Sequence, residues 1–159
     1  MTARRPLEKR TRTFPREAGP RDRLFIGEGW YPPAPLGNVR VRFSRGRRAV
    51  IDLPLTAGRS YALTLRLDPF QFEGAPPQTV RVTLNGTTLA DRPLQWDESR
   101  IGTYTVNLPA AQVREGDNRL ELQAAYSTKT TSVGGGAQEV GGDRDVGFLF
   151  WYLRVEPAG

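Results

Sequence analysis

The chain has no histidine and no cysteine in 159 residues. Without histidine there is no Ser-His-Asp triad, no Cys-His pair, no histidine-bearing zinc site and no imidazole general base; without cysteine, thiolate chemistry and cysteine metal sites go too. Lysine is nearly absent as well: Lys9 and Lys129 are the two among 23 basic residues, the others being arginine. No apolar run approaches the ~18 residues that a membrane helix needs. MTARRPLEKR is followed by TRTFPREAGP rather than by an apolar stretch, so the chain as written is expected to carry neither a spanning helix nor a signal peptide. A Gly-Lys-Ser/Thr phosphate loop is missing although Gly134-Gly135-Gly136 and Gly141-Gly142 are present.

Carboxylates are the catalytic groups that remain. A glycosidase needs two that face each other, one of them with a raised pKa. Asp97 and Glu98 are adjacent, so in a strand they would point to opposite faces, and the polar stretch Gln95 to Arg100 reads as a solvated turn. No catalytic residue is assigned, and a non-enzymatic role is expected.

Charge is present but uneven. Residues 1 to 25 hold eight basic residues against three acidic ones, leaving +5 of the formal net +6, while the remaining 15 basic and 14 acidic residues nearly cancel. A basic, largely disordered arm over residues 1–22 is expected ahead of one folded domain over 23–157. An acidic partner would meet the arm first. Arg40, Arg42, Arg45, Arg47 and Arg48 form a second basic group. Nucleic-acid binding is nevertheless not expected: no accompanying motif is present, and Arg40 and Arg42 fit the solvated face of a strand.

From about Leu24 onward the period of hydrophobicity is two, in short runs rich in Val, Leu, Phe and Tyr and punctuated by Gly, Pro, Asn and Asp. Val39, Val41 and Phe43 alternate with Arg40, Arg42 and Ser44, and Ser44-Arg45-Gly46-Arg47 predicts a hairpin turn into Ala49, Ile51 and Leu53. Tyr61 to Leu67 alternates up to Asp68-Pro69. Val80, Val82 and Leu84 run into Asn85-Gly86, the dipeptide suited to a type I′ turn, with Thr87 to Ala90 returning. Ile101 to Leu108 is a strand stopped by Pro109, and Ala110 to Glu115 fits one helical turn. Leu120, Leu122, Ala124 and Tyr126 mark another strand. Residues 127 to 145 show no periodicity and read as a long mobile loop. In the last strand, Val146 to Val155, Phe148, Phe150 and Tyr152 fall on one face and Leu149, Trp151, Leu153 and Val155 on the other, so both faces need cover, from the N-terminal segment or from a partner. The expected fold is all-β: a two-sheet antiparallel β-sandwich of about eight strands.

Three stretches go beyond generic sandwich chemistry when read in order: Val80-Arg81-Val82-Thr83-Leu84-Asn85-Gly86; Tyr104-Thr105-Val106-Asn107-Leu108-Pro109 with Asn118-Arg119-Leu120-Glu121-Leu122; and Asp143-Arg144-Asp145-Val146-Gly147-Phe148. The sequence resembles the galactose-binding-like jelly-roll domains found as carbohydrate-binding modules and as extracytoplasmic appendages of bacterial glycosyltransferases and related cell-envelope proteins. That resemblance implies a jelly roll whose loops at one end bind a glycan or cell-envelope polysaccharide or hold a structural calcium, and it implies an extracytoplasmic setting. The two-residue spacing of Asp143 and Asp145 departs from a recognisable calcium loop, so no metal ligand is assigned.

Sugars stack their apolar C–H faces on Trp or Tyr rings while polar side chains read the hydroxyls. Candidate ligand-binding residues are therefore Trp30, Tyr31, Trp96, Asp97, Asp143, Arg144 and Asp145. For Trp30 and Tyr31, in Gly29-Trp30-Tyr31-Pro32-Pro33, display to a ligand and pinning of the loop to the sandwich give the same letters. For Asp143, Arg144 and Asp145, mutual pairing or loop capping stands beside ligand contact. Phe148, Phe150 and Tyr152 are candidate interface residues for the alternative role, a structural or assembly subunit docking on a larger protein complex or on its own copies.

Overall fold

The computed structural model describes residues 12–13, 26–36, 39–94, 103–132 and 144–158. Eight strands of five to ten residues carry the architecture: β3 (Val39–Phe43), β4 (Arg48–Leu55), β5 (Tyr61–Pro69), β6 (Gln78–Leu84), β7 (Thr87–Leu94), β8 (Thr103–Leu108), β9 (Gly116–Ala124) and β12 (Phe148–Pro157). Short pieces complete it: β1 (Arg12–Thr13), β2 (Ala34–Leu36), β10 (Thr128–Lys129) and β11 (Asp145–Val146). One antiparallel sheet has the order β4-β9-β6-β7, and the other the order β2-β3-β12-β5-β8 with β1 also on β12. Two residues of the expected arm, Arg12 and Thr13, thus pair with Val155 and Arg154. Among the described residues, no helix is long and apolar enough to cross a membrane.

The alternation read from the sequence is what fills the space between the sheets. Tyr61, Leu63, Leu65 and Leu67 of β5 face Ile51, Leu53, Leu120 and Leu122 of the other sheet, all at most 1% exposed. The Asn85-Gly86 turn joins β6 to β7 as expected, with φ of 49° at Asn85 and 91° at Gly86. Ala110–Gln112 forms a single 3-10 turn.

Four expectations are corrected. Ser44 to Arg47 does not close a hairpin: β3 belongs to one sheet and β4 to the other, so the chain crosses the sandwich end there. Segment 26–36 makes the same crossing beside it, bridging Ile26 to Ile51, then Trp30 to Ser44, and then pairing as β2 with β3. By exchanging Gly27 N–H→Val50 O and Val50 N–H→Glu28 O bonds of 2.8 and 2.9 Å, it covers part of the edge that β4 would otherwise present.

The second correction concerns β12. Its pairing with β5 slips between Phe150 and Tyr152, and this one-residue bulge resets the period. Phe148, Phe150, Leu153 and Val155 consequently share the main core, whereas Leu149 joins Val41, Phe43, Phe70, Val146 and Ala34 in a smaller cluster. The bulge returns Leu153 and Val155 to the main core, while Phe148, Leu149 and Phe150 are all buried, so this half of the strand is covered on both faces, the second by the cluster that includes Ala34 and Tyr31. Third, Arg42 is not on a solvated face: it is 6% exposed and donates from Nη1 to the Tyr31 carbonyl at 3.0 Å. Fourth, both flanks of the expected loop 127–145 are ordered, since Thr128–Lys129 pairs with Asp145–Val146 and Thr130–Ser132 makes a 3-10 turn.

Candidate functional site

At the end of the sandwich where 26–36 and 43–48 cross, the described candidates sort themselves. Trp30 is a core residue. It is 8% exposed, its ring meets Phe148 edge-on at 5.8 Å and Phe150 at 5.3 Å, and its Nε1–H donates to Val50 O at 2.8 Å. That is a loop pinned to the sandwich by its ring, with the indole proton satisfied.

Tyr31 sits next to it but half-buried, and two of the other candidates converge on it. The Asp145 N–H donates to the Tyr31 hydroxyl at 3.0 Å, and the Arg144 guanidinium carbon lies 4.7 Å from the ring centroid. Arg45, from the crossing loop, places its own guanidinium 4.7 Å from the same centroid. By sequence Arg45 groups with its arginine neighbours, and its place in this cluster is not legible there beyond its position in a Ser-Arg-Gly turn. Arg144 and Asp145 do not pair with each other: the Asp145 carboxylate accepts from Ser127 Oγ at 3.0 Å, while Arg144 turns to the ring.

The backbone under this cluster is held by buried polar groups. Ser44, fully buried, accepts from the Gly147 and Phe148 N–H groups at 3.0 Å each and donates to Gly46 O. Gly46 N–H donates to Asp145 O at 2.7 Å, and Arg144 and Thr130 exchange two bonds, Thr130 N–H to Arg144 O and Arg144 N–H to Thr130 Oγ1. Gln78, 2% exposed, donates to the carbonyls of Tyr126 and Gly147 and accepts from the N–H groups of Thr79 and Ala125. Gly147 is required where it stands, because a Cβ there would lie 2.8 Å from Gly46 O. Four chain segments are thereby fixed relative to one another, a rigid scaffold carrying loops.

The resemblance stretches divide between the two ends. Asn85 and Asn118 lie at the far end of β6 from Gln78, a strand length of roughly 20 Å away. Asn118 is fully buried and donates to Leu53, Arg114 and Gly116 carbonyls while its Oδ1 accepts from Arg114 N–H and Asn85 Nδ2. Asn85 donates onward to Gln112 O and accepts from Arg119 N–H. These asparagines do architectural work, and the third stretch carries the surface cluster.

The four-stranded antiparallel layer, the larger layer opposite it and this placement of loops decide the comparison with known structures. The fold is a two-sheet jelly roll. The C-terminal CBM6 of a marine laminarinase from Zobellia galactanivorans superposes with a TM-score of 0.53 over 92% of this chain and 99% of its own, at 10% identity. A GH26-CBM35 β-(1,4)-mannanase from Podospora anserina gives 0.55 over 94% of the chain at 10% identity, and a GH115 4-O-methyl-α-glucuronidase with specificity for decorated arabinogalactans gives 0.51 over 76% at 11%. The chain spans 28% and 15% of those two longer structures. No family model and no curated protein matches the sequence.

In this jelly roll the remaining candidates are placed as follows. Trp96, Asp97 and Asp143 lie outside the described residues. Phe148 and Phe150, expected at an interface, are 0% and 4% exposed inside the chain's own core and offer no surface to a partner. Tyr152 is half-buried beyond the bulge. Trp151 is capped: Arg66 stacks on its ring at 3.9 Å, and its Nε1–H donates to Asp68 Oδ2 at 2.7 Å. Nor do the five clustered arginines make one basic face, since Arg40 and Arg47 donate to Pro33 and Ala124 carbonyls, Arg42 is buried, and Arg48 pairs with Glu121 at 2.9 Å.

The calcium that the resemblance implies does not fit the described donors. Asp145 is a single carboxylate engaged by Ser127 and set among arginines, and no group of three or more acidic side chains able to hold a metal occurs among the described residues.

Proposed function

We propose that this chain is a non-catalytic carbohydrate-binding module that takes a glycan on the loop end of its sandwich. The observation that carries the reading is the convergence of Tyr31, Arg144 and Asp145, chosen from distant parts of the sequence, on one cluster held by a buried polar framework. Rigid loops with mixed donors and acceptors suit hydroxyl recognition, because little ordering entropy is lost when the ligand binds. The fold shared with modules from a laminarinase and a mannanase supports the same reading. The non-catalytic part rests on chemistry: the sequence has no histidine or cysteine, and the cluster has one described carboxylate where glycoside hydrolysis needs two.

A glycan-array screen of the purified chain, run beside light scattering, tests the proposal. Selective glycan signals from a protein of one-chain mass are expected. A blank array overturns it, and a blank array with a mass above one chain replaces it with the assembly role.

A further inference from the structure

We propose that the loop-end site prefers an acidic glycan, whose carboxylate or sulfate substituent is drawn to the Arg45 and Arg144 guanidinium groups held at the Tyr31 ring. The inference rests on the carbohydrate reading above and narrows its ligand class.

Its starting point is what the site offers a sugar. A neutral pyranose stacks on an uncovered aromatic face, and three rings of this region are taken up: Trp30 is buried, Trp151 is capped by Arg66, and Tyr31 already carries two guanidinium groups. What remains is cationic. Both guanidinium carbons lie 4.7 Å from one centroid, so they are within twice that distance of each other.

Three surface arginines elsewhere are neutralised by carboxylates. Arg48 pairs with Glu121 and Glu28, Arg81 with Asp91 at 3.0 Å, and Arg119 with Glu28 at 2.7 Å. Neither Arg45 nor Arg144 makes a side-chain ion pair or hydrogen bond among the described residues; each has the ring alone. Two like charges gathered on one ring repel, and the ring's quadrupole offsets only part of that. An anion at either guanidinium relieves that repulsion, and each guanidinium fork matches the planar spacing of carboxylate or sulfate oxygens. Tyr31 acts as the spacer. Its hydroxyl is fixed by the Asp145 N–H, so the ring, and with it both arginine side chains, is held in place before a ligand arrives. Asp145 and Ser127, linked at 3.0 Å, stand beside the anion position to read hydroxyls of the same residue.

The test measures binding of the full chain to polygalacturonate and its carboxyl-reduced counterpart, and to a sulfated galactan and its desulfated counterpart, by calorimetry and affinity electrophoresis, with duplex DNA as a further probe. Binding to one acidic polymer is expected, weakened at least about 10-fold in its neutral counterpart and by raised salt. Which pair shows the contrast separates carboxylate from sulfate. Arg45→Gln and Arg144→Gln should each cost about 10-fold or more, as loss of a charge-assisted bond implies, with unchanged circular dichroism. Arg81→Gln, on the outer face of the four-stranded sheet, should have no effect. Equal binding to neutral and acidic counterparts overturns the acidic preference and leaves the carbohydrate reading standing. Retention on DNA as strong as on the polysaccharide overturns it in favour of a general polyanion surface, and no binding to any polysaccharide fails both.

Discussion

Asn118 shows how much one side chain organises at the end opposite the loops. It is fully buried, and its amide ties β4, the 112–116 turn and the Asn85 turn together through five bonds of 2.7–3.3 Å. Asn118→Ala withdraws the donor from three carbonyls and the acceptor from the Arg114 N–H and from one of the two bonds of the Asn85 amide, so a loss of roughly 2–3 kcal/mol is expected in urea unfolding. Glu28 sits at the surface between Arg119 and Arg48. The hydrogen bond from Arg119, then the charges of Arg119 and Arg48, hold its carboxyl below the ordinary 4.5. A depressed carboxyl contributes stability that is complete above the unfolded value and fades as pH falls through the folded one. Glu28→Gln should therefore lower stability slightly above about pH 4.5 and flatten the acid limb below it, so that variant and parent converge at the lowest pH, the effect being small because the group is fully solvated. Neither role was visible in the letters. Asn118 looks like any turn asparagine beside Gly116-Asp117, and Glu28 has its partners 20 and 91 residues away.

At the scale of elements, glycines with different surroundings make different predictions. Gly86 has φ of 91° with nothing within 4 Å of an added Cβ, so Gly86→Ala costs only the left-handed strain, about 1 kcal/mol. At Gly147 the conformation is ordinary, but a Cβ meets Gly46 O at 2.8 Å and both Ala124 Cβ and Ser44 Oγ at 3.0 Å. Gly147→Ala must push backbone apart, so its melting temperature should fall further than that of Gly86→Ala, and it should disturb the Arg45 and Arg144 loops as well. Strand positions were legible because alternation survives in β5, β6 and β9, whose inward residues are buried as read. What misled was local. A bulge is one unpaired residue with no composition of its own, so strict alternation puts Leu153 and Val155 on the face of Leu149 rather than on that of Phe150. A chain crossing between sheets uses the same Ser-Arg-Gly-Arg letters as a hairpin, since both need a tight turn and only long-range pairing separates them.

For the whole molecule, the fold class is legible in the sequence, whereas which candidate residues come together is not. Two sheets follow from about eight alternating strands, whereas the site depends on which loops share an end, and that is set by strand order. Tyr31, Arg144 and Asp145 come together because 26–36 crosses beside 43–48 and β11 leads directly into β12. Arg45 joins them by the same crossing, which a hairpin reading hides. The account's central claim is that glycan meets this end of the jelly roll. Amide chemical shifts of the isotope-labelled chain, followed while titrating the strongest array glycan, test it most directly. Shifts concentrated in residues 28–33, 44–47, 125–131 and 144–147 are predicted. Shifts centred on the Asn85–Asn118 end, or on the outer faces of the sheets, would contradict it.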